Sequence, residues 1–153
     1  MLVRPFKTDD EESLVSLRQV CKFTVPWNNH QKDITRKLQV LPELFLVGIL
    51  DSNLIATVMG GYDVHRGRKK FLAVHPDFRE NGYGQKIMNS VETEIRKMGC
   101  PKINLHIRKG NDKISSCYQN TWFYQRSCSQ YGKTAGIRAF LKYPINYNLD
   151  HLL

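Results

Sequence analysis

The segment Arg79-Glu80-Asn81-Gly82-Tyr83-Gly84 constrains this chain more than any other. It lies between an apolar run ending at Val74-His75-Pro76 and a run with helical periodicity that begins near Gln85. Beyond that helix, Ile103, Leu105 and Ile107 alternate as a strand. Strand, glycine loop, helix and strand form a parallel crossover unit, and such units are nearly always right-handed. The loop also has a chemistry. Its glycines let the backbone turn sharply and approach a ligand closely. The first turn of the helix presents unpaired N–H groups with the positive end of the dipole behind them. A pyrophosphate placed there would meet a ring of amides, with the Arg79 guanidinium alongside.

The loop is not a P-loop, because Gly84 is followed by Gln85-Lys86-Ile87 rather than by Lys-Ser/Thr. It is not a dinucleotide fingerprint either, since Ile87 stands where the third glycine would fall. The remainder of the chain reads as alternating elements. Thr8-Asp9-Asp10-Glu11 is a capping-box pattern, and Leu14, Leu17 and Cys21 then predict a helix from about residue 9 to 22. Ile34, Leu38 and Leu41 mark a second short helix, capped by Asp33 or an earlier polar residue and closed by Pro42. Leu44 to Leu50 and Leu54 to Tyr62 are strand-like runs joined by Asp51-Ser52-Asn53, and a second turn at Asp63 to Gly67 leads into Lys69 to Val74. These three are expected to be antiparallel neighbours. Ile87, Val91 and Ile95 form the buried stripe of the longest helix, which Gly99 ends. Asn111-Asp112 can cap a further short helix, and Trp122-Phe123-Tyr124 and Ile137 to Tyr143 read as two last strands. The expected class is α+β, with helices flanking a mixed, mostly antiparallel sheet, in a single domain over residues 1–153.

Arg-x-x-Gly-x-Gly after a strand ending in Val-His-Pro resembles the coenzyme A pyrophosphate loop of the GNAT superfamily of N-acyltransferases, and the order of elements matches that fold from end to end. Pro26-Trp27-Asn28, Asp33-Ile34-x-Arg36-Lys37, Gly60-Gly61-Tyr62-Asp63-x-His65-Arg66-Gly67 and Gly99-Cys100-Pro101-Lys102-Ile103 are similar to the YpeA group of bacterial acetyltransferases. The resemblance implies an acetyl-CoA-dependent enzyme that acylates an amine by direct attack on the thioester. It implies cofactor contacts at Leu72, Ala73, Val74, Arg79, Asn81, Gly82, Tyr83, Gly84, Gln85, Asn111 and Tyr118. The backbone around Ala73 and Val74 would serve the oxyanion. Asn111 and Tyr118 stand at the family spacing for a tyrosine that protonates the departing thiolate. Tyr118 as a core tyrosine is the bland alternative, and Trp122 departs from the glycine usual in the family beside it. Asp63 and His65, with His75 behind them, are the residues offered as general base; a polar, stabilised turn is the competing reading. Trp27, Asn28 and Asp33 are expected to wall the acceptor pocket.

Composition narrows the rest. The longest apolar stretch, Leu44 to Leu50, is too short to span a bilayer. With no apolar signal region at the N-terminus, a cytoplasmic protein is expected. The net charge of +9 is spread along the chain, without the interleaved aromatics of a single-strand binding face, so no nucleic-acid partner is expected. Cys21, Cys100, Cys117 and Cys128 show no CxxC pair or zinc spacing, which predicts reduced thiols and no metal site. An aromatic, apolar-ended C-terminus leaves a homodimer open. The rival from another class is a catalytically weak acyl-CoA-binding regulator.

Overall fold

The computed structural model describes residues 1–23 and 29–105. Their sheet has five strands in the order β1-β2-β3-β4-β5: β1 (Leu2–Pro5), β2 (Phe45–Leu50), β3 (Asn53–Tyr62), β4 (Gly67–Val74) and β5 (Ile103–Leu105). The first four pair antiparallel in succession, whereas β5 joins β4 in parallel after helix α3 (Tyr83–Lys97). The parallel crossover expected from the glycine loop is therefore present. Helices α1 (Glu11–Val20) and α2 (His30–Leu38) lie between β1 and β2 in the chain. The expected Asn111 helix and the two last strands fall outside the described residues.

Side chains from the two faces of the sheet enter separate cores. On one face Ile87, Val91 and Ile95 of α3 pack with Leu44, Leu46, Ile55 and Val58. On the other, Leu14 of α1 and Ile34 of α2 pack with Phe6, Phe45, Val47 and Met59. Leu46 and Val58 serve one core while Val47 and Met59 serve the other, the period of two that a strand imposes. Gly60 permits the close approach of β3 to α3, since a Cβ there would sit 2.6 Å from Val91 Cγ2.

The ends of the elements differ from the sequence reading in instructive ways. Thr8 does not cap α1 with Glu11 as partner. A 3-10 turn over Thr8–Asp10 comes first, and the Asp10 carboxylate accepts the Lys7 amide at 2.8 Å. Asp10 wins because Arg4 on β1 holds its two oxygens at 2.7 and 2.8 Å. The cap of α2 is the earlier polar residue, Asn29, whose side chain accepts the Lys32 amide at 2.9 Å. Leu41 falls outside α2, with a left-handed φ of 50° that leads into Pro42. The β2–β3 turn uses two residues rather than three: Asp51 and Ser52 both have positive φ, as a tight primed hairpin turn requires.

The Arg4–Asp10 pair gives a prediction. The Arg4 hydrogen bonds hold the Asp10 carboxyl below the usual carboxylate range. A carboxylate with a depressed folded-state pKa contributes stability above its unfolded pKa and loses it as the pH falls through the folded value. Asp10→Asn should therefore lower unfolding stability by about 1 kcal/mol at neutral pH. The gap from the wild type should close below about pH 4. Urea midpoints measured across pH 2–7 check this, and a gap independent of pH would contradict it.

Candidate active site

The glycine loop is built by what precedes it. Val74 ends β4, and the His75 amide donates to Ile55 O at 2.8 Å, keeping the chain tied to β3. Pro76 opens a 3-10 turn over Pro76–Phe78, with the His75 ring accepting the Asp77 amide at 3.3 Å. The His75 ring thus has a capping task. Glu80 and Gly82 then take positive φ of 65° and 75°. Gly82 is the N-cap of α3, so the helix begins at Tyr83, two residues earlier than its periodicity suggests. Gly84 therefore belongs to the first turn of the helix and not to the loop.

This arrangement exposes amides. The first bond of the α3 ladder runs from Lys86 N to Gly82 O at 3.0 Å, which leaves Tyr83, Gly84 and Gln85 ahead of it. The first turn of α3 contains no acidic residue to offset the positive end of the helix dipole, while Arg96 and Lys97 in the last turn balance its negative end. A Cβ built on Gly82 would meet nothing within 4 Å. Among the described residues, the space around that point is open. Arg79 is placed differently from the expectation. Its Nε donates to Val74 O at 3.1 Å and its Nη2 lies 3.8 Å from Cys21 Sγ. Cys21 Sγ itself donates to Val74 O at 3.4 Å. Arg79 thereby ties the end of α1 to the end of β4, and Asn81 accompanies it by donating to Arg79 O at 2.9 Å.

Leu72, Ala73 and Val74 lie on a strand whose pairing is interrupted. Thr57 faces Ala73, but Met59 faces Lys70, so β4 carries one extra residue opposite β3. Phe71 takes it up with φ of 52°. Holding an aromatic residue in the left-handed region costs about 1–2 kcal/mol, and such strain gathers at functional sites. A bulge frees backbone groups from the ladder, which is the requirement for amides that serve a ligand.

Asp63 and His65 are not brought to this loop. They sit in the turn before Gly67, whereas the loop follows Val74 at the other end of the same strand. Asp63 Oδ1 accepts the amides of Arg66 and His65 at 2.7 and 3.1 Å, and Oδ2 lies 3.5 Å from Arg68. The Arg66 amide, then the His65 amide, lower its pKa, which makes it a poorer base. The turn is thus organised by its own hydrogen bonds. Tyr118, Asn111, Trp122, Trp27 and Asn28 lie outside the described residues. Among the described residues no group of three or more His, Cys, Asp or Glu could hold a metal ion, and no helix is long and apolar enough to cross a membrane.

Sequence reasoning missed Arg18. It is fully buried on the inner side of α1, with Leu14 and Leu17. Burial pushes its pKa down to about 10, partly opposed by Asp33. Its guanidinium lies 4.8 Å from the centre of the Phe71 ring, a cation–π contact with the bulge residue. The signal was available: residue 18 is four positions from Leu14, so an arginine occupies the apolar stripe. His30 was also missed; burial, then the Arg18 charge, lower its pKa, with Asp33 opposing.

A crossover with helix-end amides, a left-handed glycine cap and a bulged strand beside them is the framework of an acyltransferase fold. Residues 12–121 match the acetyltransferase (GNAT) family, and the chain belongs to that family of N-acetyltransferases. An acetyltransferase of Pectobacterium atrosepticum is 39% identical over 133 residues, covering 87% of this chain and 94% of that protein. Among solved structures, Ard1 from Thermoplasma volcanium superposes with a TM-score of 0.70 at 20% identity, over 82% of this chain and 84% of that one. AAC(6')-Iy, solved with the bisubstrate analogue CoA-S-monomethyl-acetylneamine, gives 0.73 at 15% identity, over 87% of this chain and 97% of that one.

Proposed function

We propose that this chain moves the acetyl group of acetyl-CoA directly to an amine, with no acetyl-enzyme intermediate. The observation that carries the reading is the start of α3, where the Tyr83, Gly84 and Gln85 amides precede the helical ladder beside a left-handed Gly82 and open space. A diphosphate satisfies those donors and the helix dipole together. That a neighbour of the same fold was solved with a CoA-containing analogue supports the same ligand.

The roles then follow from position. The loop from Asn81 to Gln85 holds the diphosphate. Arg79 braces the strand end that carries Val74, and its charge lies beside the same loop. The bulged segment Leu72–Val74 offers backbone groups to the pantetheine arm and to the thioester oxygen as it becomes an oxyanion. The amine nitrogen, having lost a proton to solvent or to a neighbouring base, bonds to the acyl carbon. The carbon–sulfur bond breaks, and the thiolate takes a proton, which the family pattern assigns to the Tyr118 hydroxyl. Neither Asp63 nor His65 is given the base's task, because the turn that holds them lies at the far end of β4 from the loop.

Two measurements test this. Calorimetric titration of the folded protein with coenzyme A and acetyl-CoA should show saturable binding; the absence of any heat would end the proposal. Tyr118→Phe should slow turnover by ~100-fold while leaving acetyl-CoA affinity nearly intact. An unchanged rate would remove Tyr118 from the reaction.

A further inference from the structure

The face of the sheet covered by α1 and α2 carries a polar cluster to which acetyl transfer assigns no task. Arg18 is wholly buried, yet its Nε and Nη1 have no hydrogen-bond partner among the described residues. Nη2 makes only a weak contact with Met59 Sδ at 3.6 Å. From α2 come His30 and Asp33, three residues apart and hence on one side of that helix. Ile34 beside them packs in the same core as Met59 and Phe71. His30 Nδ1 and Asp33 Oδ2 are also buried atoms without a partner among the described residues. The other Asp33 oxygen is only 3.6 Å from Arg36, at the surface. Arg18, His30 and Asp33 are near enough to perturb one another's charge, but no ion-pair contact joins them.

Buried polar groups are nearly always hydrogen-bonded, and a buried cation with no counter-ion in contact is costly. Here two donors of one cation, one carboxylate oxygen and one imidazole nitrogen wait together. The guanidinium stacks on Phe71, the residue that bulges the strand carrying Ala73 and Val74.

We propose that Arg18, His30 and Asp33 recognise the acceptor, and that the acceptor is an amino acid, an amine that carries its own carboxylate. This rests on the acetyl-transfer reading and names its substrate class. The acceptor's carboxylate answers the idle Arg18 donors. Its ammonium answers Asp33 Oδ2, and His30 Nδ1 can bond to either end according to its tautomer. A simple alkylamine would leave the Arg18 charge unanswered, and a polyamine would add repulsion to it.

Matched acceptors test the inference: lysine against cadaverine, phenylalanine against phenethylamine, and β-alanine against ethylamine. Each is assayed for thiol release from acetyl-CoA and titrated onto protein preloaded with coenzyme A. The amino acid of at least one pair should exceed its decarboxylated partner in kcat/KM by ~10-fold or more, the effect of a charge-assisted hydrogen bond. Arg18→Met should erase that preference without changing coenzyme A affinity. Its thermal midpoint should equal or exceed the wild type's, because an uncompensated buried charge has gone. Equal rates within every pair, or a preference kept by Arg18→Met, would overturn the inference. So would wild-type protein that binds coenzyme A but neither binds nor acetylates any of the six compounds, and this wild-type result needs no variant to fold. A wild type that does not bind coenzyme A at all would instead bring down the acetyl-transfer reading itself.

Discussion

Gly82→Val should weaken acetyl-CoA binding by ~10- to 100-fold with little loss of fold stability beyond the local strain. Two effects combine. Gly82 has φ of 75°, a conformation that a β-branched residue adopts only with strain of about 1–2 kcal/mol. The added side chain also enters the open space beside the first amides of α3, where the diphosphate is expected to lie. Because nothing within 4 Å would clash with its Cβ, the effect belongs to the ligand rather than to packing. Gly61→Ala is the matched control: its Cβ also meets nothing within 4 Å, but its backbone is not left-handed and it lies on β3. Calorimetric dissociation constants for the two variants decide the matter. Equal affinity in Gly82→Val and wild type would remove the loop from cofactor binding.

The second large effect concerns stability. Glu92→Ala should destabilise the fold by about 2 kcal/mol, read from the urea midpoint. Lys69 on β4 is buried, and its Nζ donates to Glu92 Oε1 of α3 at 2.5 Å. Burial lowers the Lys69 pKa, and the hydrogen bond with Glu92 works against that. Removing Glu92 takes this carboxylate from a buried ammonium, and the desolvation penalty remains. The combined change Lys69→Met and Glu92→Leu should recover most of the loss, since apolar side chains of similar volume replace a buried pair at little cost. If Glu92→Ala alone left the midpoint unmoved, the pair would have no part in holding α3 to the sheet.

Much of this architecture could be read from side-chain periodicity. The stripe Ile87, Val91, Ile95 determines α3, and the alternation through β2 and β3 determines which core each residue enters. The glycine turn at the start of α3 was legible because a left-handed glycine and the helix that follows it act locally. Element ends were less legible, since they depend on competing partners: Arg4 draws Asp10 into the role the sequence offered to Thr8 and Glu11. The placement of Asp63 and His65 was not legible either. A turn's composition gives its hydrogen bonds, not its distance from a loop eight residues of strand away.

The sequence by itself determined the order of strands and helices among the described residues, the glycine turn that opens α3, and the family, because these follow from local pattern and spacing. Only the tertiary structure decided that Phe71 bulges β4 and that Arg79 turns back on Val74. It also decided that Arg18 lies buried, and that Arg18, His30 and Asp33 each hold buried polar atoms without a partner among the described residues. Those facts depend on which surfaces of α1, α2 and the sheet come together, and burial is a property of the assembled layers that no single segment carries.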